Sequence, residues 1–327
     1  MIKLLIVHDT EIASSRGEVI RWAYANRSYA LKKYAPSDFE VDRICADEFD
    51  FDSAVANYDV IFYMDYMGFQ SLIPKLMTTG HLGKFVVSFN KDSNSRKREW
   101  MLTSMAKLVI VNNEERYFAG GVRENTCCIS NGVDTDFWKP TRPIEGRSRV
   151  LWCGSSSVSK MKNYHNVIAP LGQLLKEEGL DFSFRPIDHI DDSVFTPEEQ
   201  RDWYNTADVV VCASSSEGGG PSYLMEAAAC GCIPVTTEVG SVPEWAGACN
   251  AEIVQSSGRS LLEGIKKARL DKAARSMQAA KGILQQGYGE PGSRAKYFFQ
   301  VFRLIAEGKS PTPFTYRNVS PDEIVSS

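Results

Sequence analysis

Residues 214–229, Ser-Ser-Ser-Glu-Gly-Gly-Gly-Pro-Ser-Tyr-Leu-Met-Glu-Ala-Ala-Ala, bring together residue types that hold polyols and phosphates. A mostly apolar run at 208–212 precedes them and Gly-Cys-Ile-Pro-Val follows at 231–235, so the stretch reads as strand, glycine-rich loop, helix, tight turn and strand. Gly218, Gly219 and Gly220 let backbone N–H groups come close to a ligand. A helix opening at Pro221, Ser222 and Tyr223 adds unpaired donors and the positive end of its dipole, which suits phosphate. Glu217 before the glycines and Glu226 inside the helix would repel a diphosphate. They are suited instead to accepting hydrogen bonds from hydroxyls, one on a sugar and one on a ribose.

The elements that must position these residues repeat along the chain. Short apolar runs rich in Val, Ile and Phe stand at 2–7, 60–64, 85–89 and 108–111, separated by helix-length segments. After Lys-Pro-Thr-Arg-Pro at 139–143 the pattern restarts at 149–153, 182–185, 209–212 and 233–236. Strands alternating with helices predict parallel sheets covered on both faces. The restart and its prolines predict a linker near 140–147 between two doubly wound, Rossmann-like α/β domains, residues 1–143 and 144–290, that face each other across a cleft. Ligands of such sheets bind at the carboxyl ends of the strands. The loop from His8 to Gly17 follows the first strand and precedes a helix expected over 18–33, with Gly17 placed where a phosphate would approach. At the other end, residues 291–308 predict an amphipathic helix that returns toward the first domain, with Tyr297, Phe298, Val301, Phe302 and Ile305 on one face. The tail 309–327, with three prolines, is expected to be loosely held.

Composition narrows the setting. The 327 residues are 43% hydrophobic and 24% charged, enough for two real cores, and a net charge of -4 gives the whole molecule no field that would gather nucleic acid. Eight cysteines lie mostly in strand-like runs without metal-knuckle spacing, which predicts buried thiols in a reducing compartment and no metal. The opening apolar run is only a strand long, and no stretch approaches the roughly 18 apolar residues of a membrane span. A cytoplasmic location is the expectation.

Three segments, Ser216-Glu-Gly-Gly-Gly, Leu224-Met-Glu-Ala-Ala-Ala-Cys-Gly-Cys-Ile-Pro-Val and Val239-Gly-Ser-Val-Pro-Glu, together resemble the donor-site motif of retaining glycosyltransferase family four, the group 1 glycosyltransferases of GT-B fold. Ile129-Ser-Asn-Gly-Val-Asp-Thr-Asp-Phe-Trp-Lys-Pro is similar to the loop that closes the first domain in that family. The resemblance implies a hexosyl- or pentosyltransferase that moves a sugar from a nucleotide-sugar donor, UDP-glucose by default, to a hydroxyl with retention and without a metal or other cofactor. It implies that Glu217 contacts the donor sugar, that Glu226 contacts the ribose, and that the loop carrying Gly17 reaches the diphosphate. A lysine early in the second domain would neutralise that diphosphate. Lys162, which opens a helix ahead of Asn163, matches the family's lysine by context, and Lys160 matches by its distance from Gly154; Lys162 is favoured. Asn90 and Asp92 stand where the family commonly has a histidine with a nearby aspartate. Two further departures are a Glu217-to-Glu226 spacing one residue longer than in many members, and Ser155 or Ser156 where an arginine often follows Gly154.

The acceptor has two readings: a glycan or lipid-linked sugar of envelope polysaccharide, or a hydroxymethylated base in DNA. The second draws on basic residues beside aromatics, Arg16, Arg21, Trp22 and Arg27, and Arg96, Lys97, Arg98 and Trp100. A sugar-nucleotide epimerase on the same fold and a binding protein without turnover are the rival functions.

Overall fold

The computed structural model describes residues 1–8, 12–13, 19–20, 23–64, 66–89, 103–119, 123–154, 159–186 and 195–326. The chain divides into two compact units. Met1–Glu11, Arg21–Gly132 and Ser293–Ser327 form the first, and Ile12–Ile20 with Val133–Gly292 the second.

Within the described residues the first unit is built on a six-stranded parallel sheet. Its strands are β1 (Ile2–His8), β4 (Phe39–Cys45), β5 (Val60–Tyr63), β6 (Phe85–Phe89), β7 (Leu108–Val111) and β8 (Thr126–Cys128), in the order β4-β1-β5-β6-β7-β8. The short β2 (Ile12–Ala13) and β3 (Val19–Ile20) pair antiparallel as a separate ribbon. β5, β6 and β7 are buried along their whole length because side chains on both faces pack against other elements, which is why they read as unbroken apolar runs. On β5, Ile61 and Tyr63 join a cluster with Phe51, Phe69 and Phe85, while Phe62 points the other way. There the helix Arg294–Ala306 lays Phe298 and Phe302 against Phe62, with ring centroids 5.8 and 5.2 Å apart, and Phe299 against Phe39 at 4.8 Å.

The second unit has a five-stranded parallel sheet of β9 (Arg149–Gly154), β10 (Asp181–Pro186), β11 (Ala207–Cys212), β12 (Ile233–Thr236) and β13 (Glu252–Ile253), ordered β10-β9-β11-β12-β13. Alternate residues feed two layers. Val150, Trp152, Val209 and Val211 pack with Ile168, Leu171, Leu261 and Ile265, whereas Leu151, Cys153, Val210 and Cys212 pack with Tyr204, Leu224 and Met225. Residues 133–147 are tied into this unit. Trp138 lies 5.6 Å from Tyr204, ring to ring, and the buried Asn205 accepts from Thr141 N at 2.7 Å and Arg147 Nη2 at 2.9 Å.

In both sheets the second strand lies outside the first and the third returns to its other side. Connections therefore diverge between β1 and β5, and again between β9 and β11. Such switch points leave a crevice at the carboxyl ends of the strands.

Two expectations are corrected. The helix expected from residue 18 is described as Ala23–Lys33, because the β-branched Val19-Ile20 pairs with Ile12-Ala13 instead. The tail is not loose: Phe314, Tyr316 and Ile324 are buried, Phe314 O accepts from Cys128 N at 2.8 Å, and Tyr316 N donates to Cys128 O at 3.0 Å.

Candidate active site

The second unit's switch point gathers the glycine loop and a lysine. β9 ends at Gly154, where a Cβ would lie 2.8 Å from the Trp152 indole, so that strand end closes tightly over its own tryptophan. The chain is next described in the short helix Ser159–Lys162. It then turns through Asn163, whose backbone is left-handed at φ 52°, into a π-helical turn, Tyr164–Ile168, and the helix Ala169–Glu177. Asparagine tolerates that backbone. Its amide donates to Ala213 O at 2.8 Å and Ser256 Oγ at 2.9 Å, and Ser215 N donates to Met161 O at 2.8 Å. These bonds fix the segment carrying Lys162 to the chain leaving β11 and to Ser256 after β13.

Lys162 Nζ donates to Glu217 Oε1, and the same oxygen accepts from Ser214 Oγ at 2.7 Å. Both side chains of the pair are largely enclosed, with 21% and 11% of their surface exposed. Ser214 is itself held: its carbonyl accepts from Thr237 Oγ1 at 2.6 Å, and its hydroxyl lies 3.4 Å from the Cys212 thiol.

Two glycines beside this pair are required by packing. Gly220 has φ 90° and a Cβ there would fall 2.4 Å from Ser241 Oγ; one on Gly240, at φ 55°, would fall 2.5 Å from Gly220 N. Ser241 Oγ donates to Gly219 O at 3.0 Å, so the 218–220 loop is docked on the loop after β12. Pro221 then caps the helix Ser222–Ala229, whose first turn opens beside that loop. Tyr223 turns its hydroxyl back to Val211 O, 2.9 Å away, and burial raises its pKa well above the ordinary phenol range.

Glu226 is a buried carboxylate, 8% exposed. Tyr204 OH donates to its Oε2 at 3.2 Å, and Gln200 Nε2 in turn donates to the phenol. Burial first, and then the Glu226 charge, hold the Tyr204 pKa well above the usual value.

The structure thus brings together Lys162, Glu217, Gly218, Gly219 and Gly220 at one strand end, with Gly154, Pro221, Ser222, Tyr223 and Glu226 on the neighbouring elements. Gly17, Asn90, Asp92 and the basic run 96–98 lie outside the described residues, as does the side chain of Lys160. Sequence reasoning missed Ser214 and Tyr204. The serine stands three residues before Glu217 and was visible as a short-range partner, whereas the tyrosine meets Glu226 only through packing of the helix Pro197–Tyr204 on Ser222–Ala229. At the first unit's switch point the buried His8 ends β1, with Arg43 Nη2 3.1 Å from its Nε2 and Arg43 Nε donating to Ser28 Oγ at 2.7 Å.

Two parallel α/β units, each with a switch point in its sheet, fit the two-domain GT-B architecture of glycosyltransferases, and solved structures of that fold match this chain over nearly its whole length. Sucrose-phosphate synthase from Thermosynechococcus elongatus superposes with a TM-score of 0.67 at 14% identity, covering 93% of this chain and 99% of that one. HepE from Anabaena, solved with UDP and glucose, gives 0.63 at 14% identity, with 93% and 100% covered. The catalytic domain of starch synthase IV from Arabidopsis thaliana, bound to ADP and acarbose, gives 0.66 at 12% identity, with 94% and 99% covered. Residues 149–268, from the first residue of β9 to the end of the helix Gly258–Ala268, match the family described as glycosyl transferases group 1. A search of the curated proteins returns no match. No helix among the described residues is long and apolar enough to cross a membrane.

Proposed function

We propose that this protein transfers a sugar from a nucleotide-sugar donor, UDP-glucose in the first instance, to a hydroxyl acceptor with retention of anomeric configuration. The observation that carries this reading is the contact of Lys162 with Glu217 at the β9/β11 switch point, beside a glycine loop that runs into a helix amino terminus. The group 1 match over these same elements supports it, and so do the nucleotides named in the neighbouring structures. In the donor complex Lys162 and the first turn of Ser222–Ala229 neutralise the leaving diphosphate, and Glu217 accepts from a hydroxyl of the sugar. Glu226 accepts from the ribose. The acceptor attacks from the face the diphosphate is leaving, and a diphosphate oxygen takes its proton. The protein's work is positioning and charge stabilisation, without a metal.

Incubation with UDP-glucose, with and without acceptors, separates the possibilities. Acceptor-dependent release of UDP supports transfer; a new sugar nucleotide without release marks an epimerase, and binding without turnover a carrier. The acceptor arms are a lipid-linked or free glycan and hydroxymethylated DNA, with radiolabelled donor. The glycan is the favoured acceptor, and label in DNA alone would overturn that choice. Activity should persist in EDTA, because a lysine and a helix end take the place a divalent cation would have at the diphosphate. Complete loss restored by magnesium or manganese would contradict the metal-free mechanism.

A further inference from the structure

A carboxylate in an apolar layer needs a reason to be there. Glu226 sits in a helix whose neighbours Leu224, Met225, Ala227, Ala228 and Ala229 are all buried in one core, and an ionised group there is costly unless it is hydrogen-bonded. Its partner, Tyr204, is fully buried, wedged against Trp138 and Trp203 with ring centroids 5.6 Å away in each case.

The direction of the bonds follows from the groups. A phenol has one proton. Gln200 Nε2 can only donate, so it fills a lone pair of the Tyr204 oxygen, and a carboxylate can only accept, so the phenol proton goes to Glu226 Oε2. Gln200 and Tyr204 lie one turn apart on a helix whose amino end carries a full capping box, with Thr196 Oγ1 accepting from Glu199 N at 3.2 Å and Glu199 Oε2 accepting from Thr196 N at 2.9 Å. The relay is therefore mounted on a rigid element. A phenylalanine would fill the same space in the core, so packing alone does not call for the hydroxyl.

We propose that Tyr204 is a positioning residue for nucleotide recognition: the Gln200-to-Tyr204 relay holds Glu226 Oε2, so that the carboxylate presents its other oxygen to the ribose hydroxyls of the donor. The inference rests on the reading of Glu226 as the ribose contact and adds the group that orients it. Tyr204 touches no substrate. Its effect passes through one carboxylate to one part of the ligand, and that selectivity is what an experiment reads.

Binding of UDP, ADP and GDP is measured by calorimetry on the intact protein, and the nucleotide bound most tightly is compared with its 2′,3′-dideoxy analogue. Tyr204→Phe should weaken the natural nucleotide by about fivefold to tenfold, the scale of one hydrogen bond, and leave the dideoxy analogue unchanged. Equal weakening of both, or of neither, would overturn the positioning role, since damage to the core would act on any nucleotide. The comparison is internal to one variant, so a lowered Tm cannot imitate it. Should Tyr204→Phe fail to fold, Gln200→Met serves instead: it removes the donor behind the phenol and should give a smaller loss, again confined to the ribose-bearing ligand. Glu226→Ala checks the underlying reading and should abolish the difference between the nucleotide and its dideoxy analogue. If no nucleotide binds the wild type, or Glu226→Ala preserves that difference, the donor-site reading fails and this inference falls with it. If Glu226→Ala behaves as stated and Tyr204→Phe does not, only the inference falls.

Discussion

Lys162 and Glu217 neutralise one another in the structure, so under the proposed function a donor's diphosphate competes with a carboxylate for the ammonium. Diphosphate carries the larger charge, and a lysine on a flexible stem can turn from one to the other. Lys162→Ala should lower turnover by roughly two orders of magnitude, because a point charge at a leaving group contributes a few kcal/mol to the transition state. Lys160→Ala should stay near wild type. Both are read as nucleoside diphosphate released under saturating donor, and the reverse ranking would move the phosphate contact to Lys160. The choice between them was open in the sequence, where motif spacing favoured one and local context the other. The Asn163 turn and the bond from Ser215 N to Met161 O carry the Lys162 side chain toward the β11 loop, where it meets Glu217, and the two alanine variants decide between the lysines.

At the scale of elements, the 218–220 loop stands or falls with the loop after β12. A methyl at residue 240 would meet Gly220 N and Cα at 2.5 and 2.7 Å, both backbone atoms that cannot swing aside. Gly240→Ala should cost about 1–2 kcal/mol for the left-handed backbone and about 1–3 kcal/mol for the clash. The expected result is a lower Tm together with weakened nucleotide binding; an unchanged Tm would mean that the two loops are not locked. Central strands and one edge strand, β10, were legible in the sequence, whereas the other edge strands were not. β5, β6, β7, β11 and β12 are flanked on both sides and packed on both faces, so they announce themselves as apolar runs. β4 alternates with Glu40, Asp42 and Arg43, β8 is three residues long and β13 two, and each lies at a sheet edge where one side needs no partner strand. The sequence read the loop glycines for ligand approach, and the structure adds the steric interlock of Gly220 with Gly240 and Ser241.

For the molecule as a whole, Glu252 is a point where stability meets pH. Burial pushes its pKa up, but hydrogen bonds and charge from Lys267 and Arg275 outweigh this and hold it below the ordinary value of 4.5. A carboxyl depressed in the folded state stabilises it fully above its unfolded pKa, and that contribution fades as pH falls through the folded one. The Tm gap between wild type and Glu252→Gln should therefore be constant near neutrality and shrink below about pH 4.5. A gap independent of pH would show that the ion pairs contribute nothing. The buried tail, finally, bears on solubility. Residues 314–316 run along the outer side of β8, with Thr315 bridging Cys128 in parallel, and so occupy hydrogen-bonding groups that would otherwise face outward. An open strand edge is a template for another chain. A chain cut after Gly308 would also uncover the apolar places now filled by Phe314, Tyr316 and Ile324. Its expected fate is self-association rather than simple unfolding, seen as light scattering that grows with concentration while the circular dichroism stays native-like; a truncated chain that remains monomeric would show that the tail does not guard that edge.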